Sequence, residues 1–225
     1  AFQRAFAGLA EQRATASDDF WSWRDRMYRV ALRVSAQQLR AIAAQLYLEL
    51  LRGGYTQVCE LHYLQHDLDG RAYPDPLELS WALTDAAADA GIGITMLPVL
   101  YERAGFSQPQ LRADQRRFAM SAKDVCVARG IIAGCGRTRV NAGAAIHSLR
   151  AAAPSSIHTL RQMSESVAGP IHIHVAEQLA EVEDCLATTG ARPIEWLARE
   201  GLLDRRWNLV HATHTTPREV ETVAG

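Results

Sequence analysis

A chain of 225 residues sets an expectation of one or two domains with room for a sizeable core. Hydrophobic residues make up 48% and charged residues 22%, which excludes a disordered polar chain. The net charge is −1, so no global basic field points to nucleic acid or an acidic membrane, and no apolar run nears the roughly 20 residues that span a bilayer.

The first periodic segment is 35–52. Leu39, Ile42, Ala43, Leu46 and Leu50 recur at helical spacing behind Ser35, a residue suited to an N-cap, and Gly53-Gly54 supplies the stop. Residues 58–64 read as a strand, 65–76 as a loop rich in Asp, Gly and Pro, and 77–90 as a helix ending before Gly91. The apolar run 94–100 reads as a strand. Residues 109–130 read as mainly helical, with a strand somewhere before His147. Beyond it, 155–167 reads as helix, 171–176 as strand, 178–188 and 193–200 as helices, and 207–212 as strand. Thr216-Pro217 opens a last helix with Pro at an early position.

Strands alternating with helices imply a parallel α/β sheet. An open doubly wound sheet usually carries a glycine-rich phosphate turn, and neither G-x-G-x-x-G nor a Walker A sequence is present. A (β/α)₈ barrel instead places its chemistry at strand C-terminal ends. Those ends here carry His62-Tyr63, His147, His174 and His211, which favours the barrel. Five strand–helix units are countable from about residue 55, at roughly 35 residues each, where eight would need about 280. The expected fold is therefore a partial (β/α)₈ TIM barrel with about five of eight units.

Ile171-His172-Ile173-His174-Val175-Ala176-Glu177-Gln178 is the strongest local signal. Alternate residues of a strand share a face, so His172 and His174 point the same way. Neutral imidazole suits a borderline metal such as zinc, and Glu177 lies at the strand end, where a carboxylate can shuttle protons. The plainer alternative is a buried, hydrogen-bonded histidine pair. His211 ends the next strand, where a ligand, a general base and a loop histidine are all open. Arg150 follows His147-Ser148-Leu149, and a guanidinium at the mouth suits a carboxylate, although most of the 23 arginines must be surface residues. Arg24 and Tyr63 matter only if that mouth exists. The four cysteines, Cys59, Cys126, Cys135 and Cys185, are scattered without a Cys-x-x-Cys pair; a reducing, cytoplasmic location is expected.

His174-Val-Ala-Glu177 at one strand end and His211 at the next resemble the amidohydrolase superfamily, metal-dependent hydrolases on a (β/α)₈ barrel. Ala1–Glu11, Trp23–Tyr28, Glu60–Tyr63, His147–Ala151 and Val210–His214 resemble, within it, the formimidoylglutamate deiminases. The resemblance implies hydrolysis of N-formimidoyl-L-glutamate to N-formyl-L-glutamate and ammonia with one divalent metal, typically zinc. It implies His174 as a metal ligand, Glu177 as the proton carrier and His211 as the group that orients or polarises the attacking water. It implies Arg24 and Arg150 for a substrate with two carboxylates, with Gln3, Tyr63 and His147 at other substrate contacts. No nucleic acid or membrane partner is implied, and a homodimer is compatible with the full-length protein.

The family's remaining ligands, a His-x-His pair on its first strand and an aspartate on its eighth, match nothing within residues 1–225. A single catalytic-barrel domain truncated at both ends is therefore expected, one that alone binds zinc weakly and is inactive. Two other readings stay open: a related deaminase of another amidine or a purine, and a non-catalytic α/β fragment.

Overall fold

In the computed structural model, which describes residues 1–8 and 20–224, the chain divides into two compact units. Residues 9–11 of the opening Ala1–Glu11 stretch lie outside the described residues. The first unit takes the described residues of 1–96 with 113–119 and 136–141. It holds a 3₁₀ turn (Phe2–Phe6), α1 (Phe20–Ala31), α2 (Ala36–Arg52), β1 (Gln57–His62) and α3 (Glu78–Ala90). Ser35 does start α2: its Oγ accepts from the Gln38 N–H, and the Gln38 side chain returns to the Ser35 N–H, a reciprocal capping box. Leu39, Ala43 and Tyr47, each four apart, form the buried face of α2. Gly91 ends α3 at φ 87°, the left-handed conformation that glycine adopts without steric cost.

β2 (Gly93–Leu100) contributes Gly93–Met96 to the first unit and Leu97–Leu100 to the second. All eight of its residues are buried, as expected of a strand interior to a parallel sheet. A short strand β3 (Val140–Ala142) pairs with it. The second unit adds α4 (Ala122–Ala133), β4 (Ala144–Ile146), α5 (Pro154–Met163), β5 (Ile171–Val175), α6 (Leu179–Thr189), α7 (Pro193–Arg199), β6 (Trp207–His211) and α8 (Pro217–Ala224). Its strands run in the order β2-β4-β5-β6, every pair parallel, with Leu100 beside Ile146, Ile146 beside Ile173 and Val175 beside His211.

The alternation of β5 sorts its residues by chemistry. Ile171, Ile173 and Val175 are fully buried in the core of this unit with Ile157, Leu160 and Leu197, while His172 and His174 share the opposite, partly open face. The strands approach closely where β4 begins. A Cβ added at Gly143 would lie 2.5 Å from the Pro170 carbonyl oxygen and 2.7 Å from Leu97 Cδ2. Gly143→Ala is expected to cost about 1–3 kcal/mol by overpacking, read as a lowered urea midpoint; an unchanged midpoint would show that the backbone relaxes freely there.

The helix expected over 109–130 begins only at Ala122. Ser121 and Asp124 form a capping box that fixes that start, and the preceding residues are irregular apart from a 3₁₀ turn at Ala113–Gln115. The side chain that organises this stretch is Arg117, which is fully buried. Its Nε–H donates to the His66 carbonyl at 2.8 Å and Nη1 donates to the carbonyls of Val34, at 2.9 Å, and of Ala31. A guanidinium that serves three backbone acceptors holds the chain in a loop path that a helix would break. Among the described residues no helix is long and apolar enough to cross a membrane.

Candidate active site

Four strand ends of the second unit carry ring side chains that can bond or titrate. Tyr101 follows β2, His147 follows β4, His174 is the penultimate residue of β5 and His211 is the last of β6. Parallel register puts successive ends side by side, and their rings form a row. Centroids are 4.5 Å apart for Tyr101 and His147, 5.2 Å for His147 and His174, and 5.3 Å for His174 and His211, the last pair stacked at 25°. Glu177 closes the row, its Oε1 3.5 Å from His211 Nε2. Thus His147, His174, Glu177 and His211 come together at one end of one sheet, where the sequence puts candidate ligands and proton carriers.

His174 is built as a ligand should be. Its Nδ1–H donates to the His147 backbone carbonyl at 2.8 Å, which fixes the tautomer and leaves the lone pair on Nε2. Burial pushes its pKa down to about 4, so the ring is neutral at pH 7. Burial also lowers the pKa of His172, which faces the same way one step down the strand. Among the described residues, however, no three His, Cys, Asp or Glu side chains converge to hold a metal ion. His174 fits a zinc site as one ligand.

The backbone turns that present these groups are strained. Ala176, His211 and Ala212 have φ of 51°, 69° and 49°, conformations that non-glycine residues adopt at a cost and that cluster at functional sites. His211 is the centre of a three-residue turn in which the Ala212 N–H donates to the Val210 carbonyl at 3.1 Å. The same N–H donates to the Val175 carbonyl at 3.0 Å, and the His214 N–H to the Ala176 carbonyl at 3.0 Å. These bonds tie the β5 and β6 ends together. Glu181, buried in the first turn of α6, accepts from the Ala176 N–H at 3.1 Å and the Glu177 N–H at 3.0 Å. Burial raises its pKa, while the Arg150 charge and those two N–H bonds pull the other way.

Arg150 lies on the loop after β4. That loop is anchored by Arg103, whose Nη2 donates to the Leu149 carbonyl at 2.6 Å, and by Glu102, which accepts from the Ala153 N–H at 2.7 Å at the start of α5. The positive charge of Arg150 also lowers the His174 pKa, after burial and the neighbouring His211 ring.

The remaining predicted residues belong to the first unit. Gln3 and Tyr63 meet there: the Gln3 Nε2–H donates to the Tyr63 hydroxyl at 3.1 Å. That hydroxyl also lies 3.7 Å from the Met27 sulfur, and the Tyr63 ring packs edge-on against Phe118. Arg24 stands over the Tyr28 ring, 5.6 Å from its centroid.

Sequence reasoning missed Tyr101 and Glu181. Tyr101 directly follows an apolar strand, so the strand-end rule applied to His147 would have found it. Glu181 sits four residues after Glu177, in the first helical turn, and nothing in its spacing distinguishes it from the nearby Glu183. His158 pairs with Glu200 at 3.1 Å on the surface.

Residues 6–224 match the family model described as "Amidohydrolase family". Formimidoylglutamate deiminase of Pseudomonas aeruginosa is 47% identical over 225 residues, which is 100% of this chain and 49% of that protein. A crystal structure of an amidohydrolase from Brucella melitensis superposes with a TM-score of 0.91 at 41% identity, over 100% of this chain and 50% of its own. An atrazine chlorohydrolase from Arthrobacter aurescens, solved in complex with zinc, shares the fold with a TM-score of 0.78 at 20% identity, over 99% and 49% of the two chains. The chain spans about half the length of these relatives. Its α/β fold, with five strands in the order β1-β2-β4-β5-β6, is the expected partial amidohydrolase barrel over that half. The matched family covers nearly every described residue, including the row of strand-end histidines, and the chain belongs to the amidohydrolase family.

Proposed function

We propose that the protein is a metal-dependent deiminase that converts N-formimidoyl-L-glutamate and water to N-formyl-L-glutamate and ammonia, a reaction of histidine degradation. The observation that carries this reading is the stacked His174–His211 pair with Glu177 3.5 Å from His211, at adjoining strand ends. The 47% identity to a formimidoylglutamate deiminase supports the choice of substrate, and the zinc in the related chlorohydrolase supports zinc as the metal. His174 would hold that ion through Nε2, and when bound it would supply the Lewis acidity that makes water nucleophilic near neutral pH.

The protein's own groups do the rest. Water adds to the amidine carbon, the bond to the terminal nitrogen breaks, and ammonia leaves. Glu177 takes the first proton of the attacking water to the terminal nitrogen as the oxygen adds, then carries the remaining hydroxyl proton to the same nitrogen, so that ammonia leaves as the carbonyl forms. His211, held by its strained turn, donates to or orients the reacting oxygen. Arg150 pairs with a substrate carboxylate, and His147 contacts the substrate beside it. Gln3, Arg24 and Tyr63, carried by the first unit, are substrate contacts by resemblance alone.

The test is ammonia release by the complete protein loaded with zinc. Stoichiometric ammonia from N-formimidoyl-L-glutamate is expected. Release from an aminopurine but not from this substrate would assign the site to another deaminase of the family, and release from neither would favour a non-catalytic role. In the active protein, Arg150→Lys is expected to raise KM about tenfold or more, because an ammonium cannot reproduce the planar two-bond contact. An unchanged KM would remove Arg150 from the site.

A further inference from the structure

Glu181 is a buried carboxylate that the proposed reaction does not use. It is 3% exposed, where an ionised group is costly unless its oxygens are matched. They are matched by the two consecutive N–H groups of the turn that carries the proton carrier: Ala176 N–H to Oε1 at 3.1 Å and Glu177 N–H to Oε2 at 3.0 Å. Successive amides converge on one anion when a left-handed residue interrupts the strand, and Ala176, at φ 51°, is that residue. Glu181 occupies the first turn of α6, where the positive end of the helix also favours a carboxylate. The turn between β5 and α6 is thus fastened at both amides by one side chain from its own helix.

We infer that Glu181 is a positioning residue, which acts on the reaction by locking the Ala176–Glu177 turn and so fixing where the Glu177 carboxylate sits. The chemistry rests on the deiminase reading; the fastening does not. Glu177 is partly exposed, its side chain 23% accessible. Among the described residues, its 3.5 Å approach to His211 and the bond from its N–H to Glu181 define its place. A proton carrier must meet the water and the leaving nitrogen in turn, and a misplacement of about 1 Å can cost on the order of 100-fold. Releasing the turn should therefore reduce turnover and leave substrate affinity largely intact.

Three variants of the complete zinc-loaded protein test this: Glu181→Gln, Glu177→Gln and the double substitution, each assayed for ammonia release and for amide hydrogen exchange. Glu181→Gln is expected to lower kcat about 10- to 100-fold with KM within about threefold. The same substitution should change little in the Glu177→Gln background, because a residue that acts through another loses its effect when that other is gone. An equal fold-loss in both backgrounds, or an unchanged kcat, would overturn the inference. Exchange of the Ala176 and Glu177 amides should quicken at least about tenfold in Glu181→Gln while the β5 amides stay protected. In the unsubstituted protein the same two amides should already be slow, and exchange at the rate of a free loop would overturn the fastening without any variant. If the unsubstituted protein releases no ammonia, the deiminase reading fails, and the exchange result still decides whether Glu181 locks the turn.

Discussion

Glu177→Gln is expected to reduce ammonia release by about 10²–10⁴-fold, the usual contribution of a positioned acid–base group, with zinc content unchanged. Both halves follow from geometry. The carboxylate stands 3.5 Å from His211 Nε2 at the open end of the strands, within reach of a reacting water. Glutamine keeps its size and its backbone bond to Glu181 but cannot carry the proton. Metal retention is expected because His174 takes its tautomer from the His147 carbonyl, a contact in which Glu177 has no part. Elemental analysis beside the activity assay separates the roles: zinc lost together with activity would make Glu177 a ligand, and full activity would remove it from the mechanism.

Arg117→Met should have the largest effect on stability. The side chain is fully buried, and burial lowers its pKa, with Tyr73 and Asp67 opposing. Methionine would fill much of the volume and strand the carbonyls of Ala31, Val34 and His66. Each buried polar group left unmatched costs about 1–3 kcal/mol, so a loss of at least about 3 kcal/mol is expected in urea unfolding of the complete protein. The effect should fall on the first unit, where α1 ends at Ala31 and the chain after β1 passes His66. A loss below about 1 kcal/mol would mean that water replaces the guanidinium at those carbonyls.

What the sequence made legible was periodic. Leu39, Ala43 and Tyr47 mark the inner face of α2, and the alternation of β5 separates Ile171, Ile173 and Val175 from His172 and His174. Strand ends are equally readable, since each closes an apolar run, and parallel pairing then brings His147, His174 and His211 together. The failures share a physical cause, which is that they depend on what a side chain meets across the fold. Nothing local separates Arg117 from the other 22 arginines, yet its burial decides that 109–121 is a loop with one short turn. Val140–Ala142 is too short to announce a strand. Glu181 reads as an ordinary first-turn acid, and only the left-handed Ala176 brings two amides onto it. The association of Gln3 with Tyr63 joins residues 60 positions apart, which no pattern in either segment signals.

In the proposed enzyme His174, His211 and Glu177 form one site, with His174 as a ligand and Glu177 as a proton carrier. The direct measurement is a crystal structure of the complete protein grown with zinc, with data collected at the zinc absorption edge to locate the ion by its anomalous signal. Zinc is expected on His174 Nε2, with His211 and Glu177 beside it and the Glu177 carboxylate unbound to the metal. Zinc away from His174, or His211 on the opposite rim from Glu177, would rule out this single site.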